Sequence, residues 1–490
     1  MRISRAILGG ERPIFWWGQS YLGTLGNYVT AGVFGLVGES IPAAALVSLA
    51  VWGVGVGLAT ALALRLFGAR GAWWTAALAA IGTPYANHYV TQPYSSYETA
   101  AVMGVLSVAA VDWTETALSR FPSPRAARRC AAIGAMLGVG WWTTRLFAPV
   151  LLAWALGTVL VVAWRRPGVR AMVAGGACLV AGFVAGDVPE LLYRADPAAY
   201  AVGVERLVPL SDVAPMAVTL ANTREGLLSL PAYVAGDPRS RLPEGISFAE
   251  SLGRSRVPPA STFARIADAW AVAALLVVVT AAALLAVRGW QERRPILVAL
   301  GATPFIHLAL IVLSAATSGG YFEARRYWFA LLLIVPLLAG GAVIAADRFG
   351  ARARQVVCLV LAVAGAWSVL SQARMLLLPD ELAAHRALAQ DLVAEHVRYV
   401  VMPTWTASVL DPLSGGELAV VTLVDDRNPA VVEAARAAES VAVVAGTERA
   451  LPEDTELLGG RFARDGAPRH VERWSWARYR RVRAGDPSHD

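Results

Sequence analysis

Long apolar segments alternate with short, arginine-bearing loops along most of the chain. A membrane-spanning helix needs about 20 mostly apolar residues, and fewer where other helices surround it. By this criterion the sequence predicts ten spans, near residues 41–66, 72–88, 98–118, 130–143, 146–164, 171–189, 267–287, 296–316, 328–346 and 355–374. The pattern therefore predicts a polytopic α-helical membrane protein.

The placement of arginine supports this count and orients the chain, because basic residues are retained on the cytoplasmic side. Alternate short loops carry the clusters, which are Arg65 and Arg70; Arg120, Arg125, Arg128 and Arg129; Arg165, Arg166 and Arg170; Arg288, Arg293 and Arg294; and Arg348, Arg352 and Arg354. The loops between them hold fewer arginines: none in 89–97, Arg145 alone in the next, and Arg325 with Arg326 in the last. The alternation continues through all ten spans.

This orientation predicts the domain organisation. We expect a first extracytoplasmic loop at 1–40, six spans in 41–189, an extracytoplasmic loop at 190–266, four spans in 267–374 and an extracytoplasmic domain at 375–490. In the last segment the long apolar runs give way to shorter patterns of apolar and polar residues. ELAAHRALAQDLVAEH and NPAVVEAARAAE have helical patterns, whereas VRYVVMP, ELAVVTLV and SVAVVAG are typical of strands. The tail is therefore predicted to be a small α/β domain.

Composition excludes several classes of protein. Hydrophobic residues make up 56% of the 490 residues and charged residues only 16%, whereas soluble domains carry about 25% charged residues. The three cysteines are too few and too scattered for a disulfide framework or a metal site. Every basic residue is arginine, which reflects genome bias, and we expect no nucleic-acid partner. No phosphate-binding glycine loop follows a strand, so nothing supports ATP or NAD.

The stretch ERPIFWWGQSYLGTLGNYVTAGVFGLVGES, at 11–40, combines aromatic residues with glycines. One interpretation is an aromatic belt at the membrane interface, where Trp and Tyr collect. The order of residues also resembles the first extracytoplasmic loop of bacterial GT-C glycosyltransferases, the superfamily of protein mannosyltransferases and aminoarabinose transferases. The matching residues are Pro13, Phe15, Gly18, Gln19, Tyr21, Gly23, Thr24, Leu25, Tyr28, Gly38 and Ser40.

Four further segments resemble this superfamily, in the same order along most of the chain. They are TPYANHYVTQPYSSYETAAVMG (83–104), GVGWWTTRLFAPVLL (138–152), AGFVAGDVPELLYR (181–194, with Arg194 where Asn is usual) and EARRYWFALLLIVPLLAGG (323–341). The resemblance implies an inverting, multi-pass glycosyltransferase of the bacterial plasma membrane. Its donor would be a sugar on polyprenyl phosphate, and its acceptor an extracytoplasmic cell-envelope glycan, lipid or protein.

Two departures from the family pattern bear on activity. The acidic residue that the family places near the end of its first span would fall just before Met1, together with that span, and Gly26 stands where the loop usually has glutamate. A start codon assigned too far downstream explains the missing span and acid, and is the explanation we favour. A non-catalytic homologue, acting as a membrane scaffold or a binder of the lipid carrier, explains Gly26 as well. A transporter is a weaker alternative, because no pair of interrupted spans recurs in two halves.

Several polar residues on the predicted outer face are candidate site residues, each with a structural alternative. Carboxylates at membrane depth are functional candidates by default, and the alternatives are an interfacial, hydrogen-bonded or helix-capping role. The candidates are Glu98 and His88 for acid–base catalysis; Trp17, Gln19, Tyr21, Tyr97, Arg325, Arg326 and Tyr327 for substrate binding; and Asp187 with Glu190 for a divalent cation. Arginine suits phosphate because it binds two oxygens at once. His307, in mid-span, is interpreted as a packing residue.

Overall fold

The computed structural model describes residues 2–16, 19–82, 95–195, 262–317, 331–376, 381–402, 410–422, 429–447 and 450–482. The chain divides into two compact units. The larger comprises Met1–Phe15, Tyr21–Ala201 and Arg206–Leu377, and the smaller comprises Trp16–Ser20, Val202–Glu205 and Leu378–Asp490.

The larger unit is built from helices. They are α1 (Arg2–Leu8), α2 (Leu25–Val37), α3 (Ile41–Ile81), α4 (Ser95–Ser119), α5 (Pro124–Thr143), α6 (Ala148–Arg165), α7 (Val169–Gly186), α8 (Val188–Ala195), α9 (Thr262–Gln291), α10 (Pro295–Thr317) and α11 (Leu331–Leu376). A short hairpin, β1 (Phe15–Trp16) and β2 (Gln19–Gly23), precedes α2 in sequence, and its residues are divided between the two units. Within the described residues, six helices are long and apolar enough to cross a membrane. Most of the described residues in each of the ten predicted spans are helical, which confirms a polytopic helical fold.

Two of the predicted cytoplasmic loops are single breaks inside long helices. In α3 the break is at Gly68 (φ 71°), and in α11 it is at Gly350 (φ 74°). Both glycines have a positive φ that other residues adopt only with strain. Each break therefore separates two predicted spans.

The first 40 residues are more regular than the predicted loop. Residues 25–37 form α2, whose Phe34 packs against Ala43 and Ala44 of α3. Gly26 lies buried in this helix. Between α2 and α3, Glu39 accepts two hydrogen bonds from Arg5, at 2.6 and 2.8 Å, and these lower the pKa of Glu39. The segment therefore packs on the bundle.

Helices α5 and α7 touch through their backbones. A Cβ atom on Gly138 would lie 2.2 Å from the carbonyl oxygen of Phe183, and one on Gly182 would lie 2.0 Å from that of Ala131. Glycines spaced four apart on both helices allow this close approach, as in other membrane helix pairs. As a result, the ends of α5 and α7 lie side by side.

Ion pairs mark the end of the bundle at which Gly68 and Gly350 lie. Arg65 contacts Asp112 at 2.9 Å, and Arg70 contacts Asp347 at 3.8 Å. Arg165 contacts Glu115 at 2.7 Å. This is the end that the arginine pattern predicts to face the cytoplasm. Glu98 begins the helix that carries Asp112, and at 1.5 Å per residue the two lie about 21 Å apart along its axis.

The smaller unit contains a six-stranded mixed sheet, ordered β4–β3–β5–β8–β7–β6. Its elements are α12 (Glu381–Ala394), β3 (Tyr399–Met402), β4 (Ala419–Thr422), α13 (Pro429–Ala437), β5 (Ser440–Gly446), β6 (Asp454–Leu457), β7 (Gly460–Val471) and β8 (Trp474–Arg481). Strands β4, β3 and β5 are parallel, and β8, β7 and β6 continue antiparallel. The predicted small α/β domain is confirmed. Strands β6 to β8 were not predicted from the sequence.

Candidate functional site

The structure describes the side chains of three predicted site residues: Glu98, Asp187 and Glu190. Gln19 and Tyr21 lie in β2, and Tyr97 lies in α4, but their side chains are outside the described part. Trp17, His88, Arg325, Arg326 and Tyr327 lie outside the described residues. These assignments stay predictions.

Two of the three lie where α7 gives way to α8. The carbonyl of Asp187 accepts hydrogen bonds from the backbone N–H groups of Glu190 and Leu191, so the chain restarts as a helix at Val188. In α8 the apolar side chains Leu191 and Leu192 are exposed, whereas Glu190 is only 2% exposed. The carboxylate of Glu190 therefore points into the protein, whereas the two leucines point outward and Arg194 is half exposed.

Two arginines meet the buried carboxylate of Glu190. Arg194, one turn further along α8, places Nη2 2.7 Å from Oε1. Arg145, in the short turn after α5, donates through Nη2 to the same oxygen. The guanidinium of Arg145 also lies over the Trp141 ring, 4.6 Å from its centroid, a cation–π contact. We call Arg145, Asp187, Glu190 and Arg194 the arginine–carboxylate cluster.

The cluster leaves hydrogen-bonding groups unused. Within the part of the chain that the structure describes, Nη1 of Arg145, Oδ1 of Asp187 and Oε2 of Glu190 are buried without a partner. Native proteins pair most buried polar groups, and the exceptions often mark functional positions. An unused arginine N–H beside an aromatic ring is suited to an anionic oxygen, such as that of a phosphate.

The first loop is attached directly beside the cluster. Indole Nε1 of Trp142 donates to the carbonyl of Ile14 at 3.2 Å, and Leu22 pairs with Thr144 as an isolated β-bridge. The Phe15 ring meets the Tyr193 ring edge-on at 4.9 Å. Ile14, Phe15 and Leu22, at the base of the hairpin, are thus attached to the end of α5 and to α8.

We expect Trp142→Phe to loosen this hairpin. The change removes the hydrogen bond to Ile14 and keeps an aromatic ring, which should cost about 1 kcal/mol. Hydrogen exchange followed by mass spectrometry should show faster exchange in residues 13–24. Trp73→Phe is the matched control, since Trp73 is 78% exposed. Unchanged exchange in the Trp142 variant would contradict this anchoring.

Asp187 has a pKa raised to about 6. Burial is the main cause, and the neighbouring Glu190 carboxylate adds to it. The folded state therefore holds this proton at pH values where the unfolded chain, with a pKa near 3.8, has lost it. As pH rises between these two values, the folded state loses stability relative to the unfolded state.

The expected result is a pH-dependent difference between the parent protein and Asp187→Asn. On acidification from pH 7.5 to 5, the Tm of the parent should rise relative to that of the variant, as measured in detergent. Parallel Tm curves for the two proteins over this range would contradict the raised pKa.

Glu98 is buried completely in the first turn of α4. Its side chain has no exposed surface, and Ser48 of α3 approaches it. Neither carboxylate oxygen has a donor at hydrogen-bond distance among the described residues. A substrate could reach Glu98 only if the surrounding side chains moved.

The expected divalent cation at Asp187 and Glu190 stays a prediction. Glu190 already serves as acceptor for two arginines. Among the described residues, no group of three or more His, Cys, Asp or Glu is placed to hold a metal ion.

At the level of sequence, no protein-family model matches the chain and no curated protein is significantly similar to it. Solved structures do resemble it. The archaeal oligosaccharyltransferase AglB from Archaeoglobus fulgidus, in complex with an inhibitory peptide and a dolichol-phosphate, superposes with a TM-score of 0.52 at 11% identity. The match covers 90% of this chain and 64% of AglB. The chain therefore resembles AglB in fold.

ArnT from Cupriavidus metallidurans is also similar over nearly its whole length. The form bound to undecaprenyl phosphate has a TM-score of 0.41 at 15% identity, covering 97% of this chain and 92% of ArnT. The apo form has a TM-score of 0.39 at 14% identity, covering 97% and 91%.

Proposed function

We propose that the protein is an integral membrane glycosyltransferase. It takes a sugar from a polyprenyl-phosphate donor at the outer face of the plasma membrane and transfers it, with inversion, to an extracytoplasmic glycan, lipid or protein. The observation that carries this proposal is the buried, unpartnered Nη1 of Arg145 in the arginine–carboxylate cluster. The AglB structure, whose fold this chain shares, holds a dolichol-phosphate, the same class of ligand.

The position of the cluster supports a phosphate ligand carried by a lipid. Arg145 lies in a loop that the arginine pattern assigns to the outer face, where nucleotide sugars are absent. Helix α8 exposes Val188, Leu191 and Leu192 to the surroundings, and the half-exposed side chain of Arg194 reaches back to Glu190. A phosphate at Arg145 and Arg194 would therefore have an apolar surface beside it for its polyprenyl chain.

The remaining roles follow from the sequence analysis. We assign sugar contacts to Trp17, Gln19 and Tyr21 of the predicted first extracytoplasmic loop, because aromatic rings stack on sugars and amides bind hydroxyls. Arg325 and Arg326 are proposed as further phosphate ligands. These arginines would help to hold the phosphate while the bond between sugar and phosphate breaks.

Transfer can be tested with the full chain in proteoliposomes. The donor is undecaprenyl phosphate carrying a radiolabelled sugar, and the acceptor is a cell-envelope fraction. We expect label to move from the lipid phase to the acceptor, leaving undecaprenyl phosphate. The proposal would be contradicted if, for each of several sugars, the label left the lipid donor no faster than it does in protein-free liposomes.

The second candidate is a protein that binds the lipid carrier without catalysis. The burial of Glu98 favours it, because this carboxylate has no exposed surface from which to activate an acceptor. Binding of undecaprenyl phosphate together with no transfer would support this candidate.

A further inference from the structure

Glu190 stands where an anionic ligand of Arg145 would bind. An arginine and a carboxylate usually pair through two parallel hydrogen bonds. Here both arginines use Oε1 of Glu190, while Oε2 of Glu190 and Nη1 of Arg145 remain buried without a partner in the described part of the chain. The pairing is incomplete, so a ligand with more oxygens can satisfy Arg145 better than Glu190 does.

Contacts within α8 hold the Glu190 carboxylate in place when no ligand is bound. Glu190 lies in the first turn of α8, its N–H bonds the carbonyl of Asp187, and Arg194 is its partner four residues on. If Arg145 turned to another anion, Glu190 would keep Arg194. The exchange therefore breaks one ion pair and leaves the helix intact.

The charge of the cluster is balanced in the empty state. Two arginines face two carboxylates, and a phosphate that entered beside Glu190 would meet a like charge at close range. Binding of an anion therefore requires that Glu190 give up part of its pairing. A balanced site also holds an anion less tightly than two free arginines would.

We infer that Glu190 is a resident counter-anion that pairs with Arg145 in the empty site and yields it to the phosphate of the ligand. Glu190 then sets the affinity of the site and takes no part in the transfer itself. Weak retention of phosphate allows the spent carrier to leave. For a lipid-borne phosphate, the inference rests on the proposed function.

The test compares binding to Glu190→Gln and to the parent protein. The glutamine keeps the size and an acceptor oxygen but removes the charge. We expect the full-length variant, in detergent, to bind undecaprenyl phosphate about tenfold more tightly, the effect of one charge-assisted hydrogen bond. Affinity can be measured by native mass spectrometry titration at fixed salt, with inorganic phosphate as a second ligand.

Two control variants separate this effect from a structural one. Glu39→Gln removes an outer carboxylate that is bonded only to Arg5 among the contacts described here, and we expect unchanged affinity. Glu190→Asp keeps the charge and should not gain affinity. It also serves as the folded reference should Glu190→Gln lose its monodisperse elution.

The two ligands distinguish the source of the phosphate. A gain for the lipid alone assigns the site to a lipid headgroup, and a gain for both assigns it to phosphate in general. If Glu190→Gln bound inorganic phosphate more tightly than the parent does but neither protein bound the lipid, the counter-anion role of Glu190 would stand. The proposed function would then be refuted. Equal or weaker binding of both ligands by a folded Glu190→Gln would overturn the inference.

Discussion

Gly182→Leu is expected to separate helices α5 and α7 and destabilise the larger unit. A Cβ atom at Gly182 would lie 2.0 Å from the Ala131 carbonyl oxygen and 3.0 Å from its Cα atom. Backbone cannot turn aside as a side chain can, so the helices must move apart. Overpacking in a core costs about 1–3 kcal/mol, and we expect at least the upper end of this range here.

The measurement is thermal stability in detergent, followed by fluorescence-detected size exclusion. A loss of about 3 kcal/mol corresponds to a fall in Tm of roughly 6–12 °C for a domain of 150–250 residues. Gly176→Leu is the matched control, because Gly176 is on the same helix and a Cβ there meets nothing within 4 Å. Equal Tm values for the two variants would show that the glycine contact does not hold the helices together.

Arg145→Gln is expected to reduce transfer by about 100-fold or more in kcat/KM, the usual loss when one preorganised electrostatic group is removed from an active site. The variant loses the only N–H of the cluster that is buried without a partner among the described residues. It also leaves Glu190 with Arg194 as its remaining ion-pair partner. Binding of undecaprenyl phosphate should weaken in the same variant.

Arg165→Gln is the control for Arg145→Gln. Arg165 pairs with Glu115 at 2.7 Å and donates to the carbonyl of Arg293, at the end of the bundle that is predicted to face the cytoplasm. We expect its transfer rate to stay within a factor of two or three of the parent, as for a surface ion pair. If both variants lose transfer equally while eluting as folded protein, the cluster has no special role.

The apolar runs and the arginine pattern predicted the membrane part well. A span leaves a signal about 20 residues long, and loops such as that near Gly68 are marked by flanking arginines. Helix α2 was missed because it is 13 residues long and lies within a segment rich in aromatic residues and glycine. Short helices that pack on a bundle carry no comparable signal.

The contacts of the candidate site could not be predicted from the sequence. Asp187 and Glu190 were singled out as ligands of a divalent cation, which stays a prediction, and the sequence does not show that Arg145 lies beside them. That contact depends on the glycines at which α5 and α7 meet. The spacing of these glycines can be read from the sequence, but the backbone atoms that they contact cannot. Arg145 itself left a signal: it stands alone in a predicted outer loop, where the positive-inside rule disfavours arginine.

The C-terminal strands show a different limit. The apolar runs of β3, β4 and β5 are typical of buried parallel strands and were predicted. Strands β7 and β8 are rich in arginine, and their inward residues, such as Phe462 and Tyr479, are interrupted by charges that obscure the alternation. The pairing between strands that are distant in sequence could be learned only from the structure.

The most direct test of the account is to locate the phosphate of the bound lipid. A polyprenyl-phosphate analogue with a photoreactive group next to the phosphate can be crosslinked to the full chain in membranes and mapped by mass spectrometry. We predict labelled peptides from 141–147 and 188–195, and loss of this labelling with excess undecaprenyl phosphate. Labelling confined to peptides around Arg65, Asp112 and Arg165, or no competed labelling, would contradict a phosphate site at the arginine–carboxylate cluster.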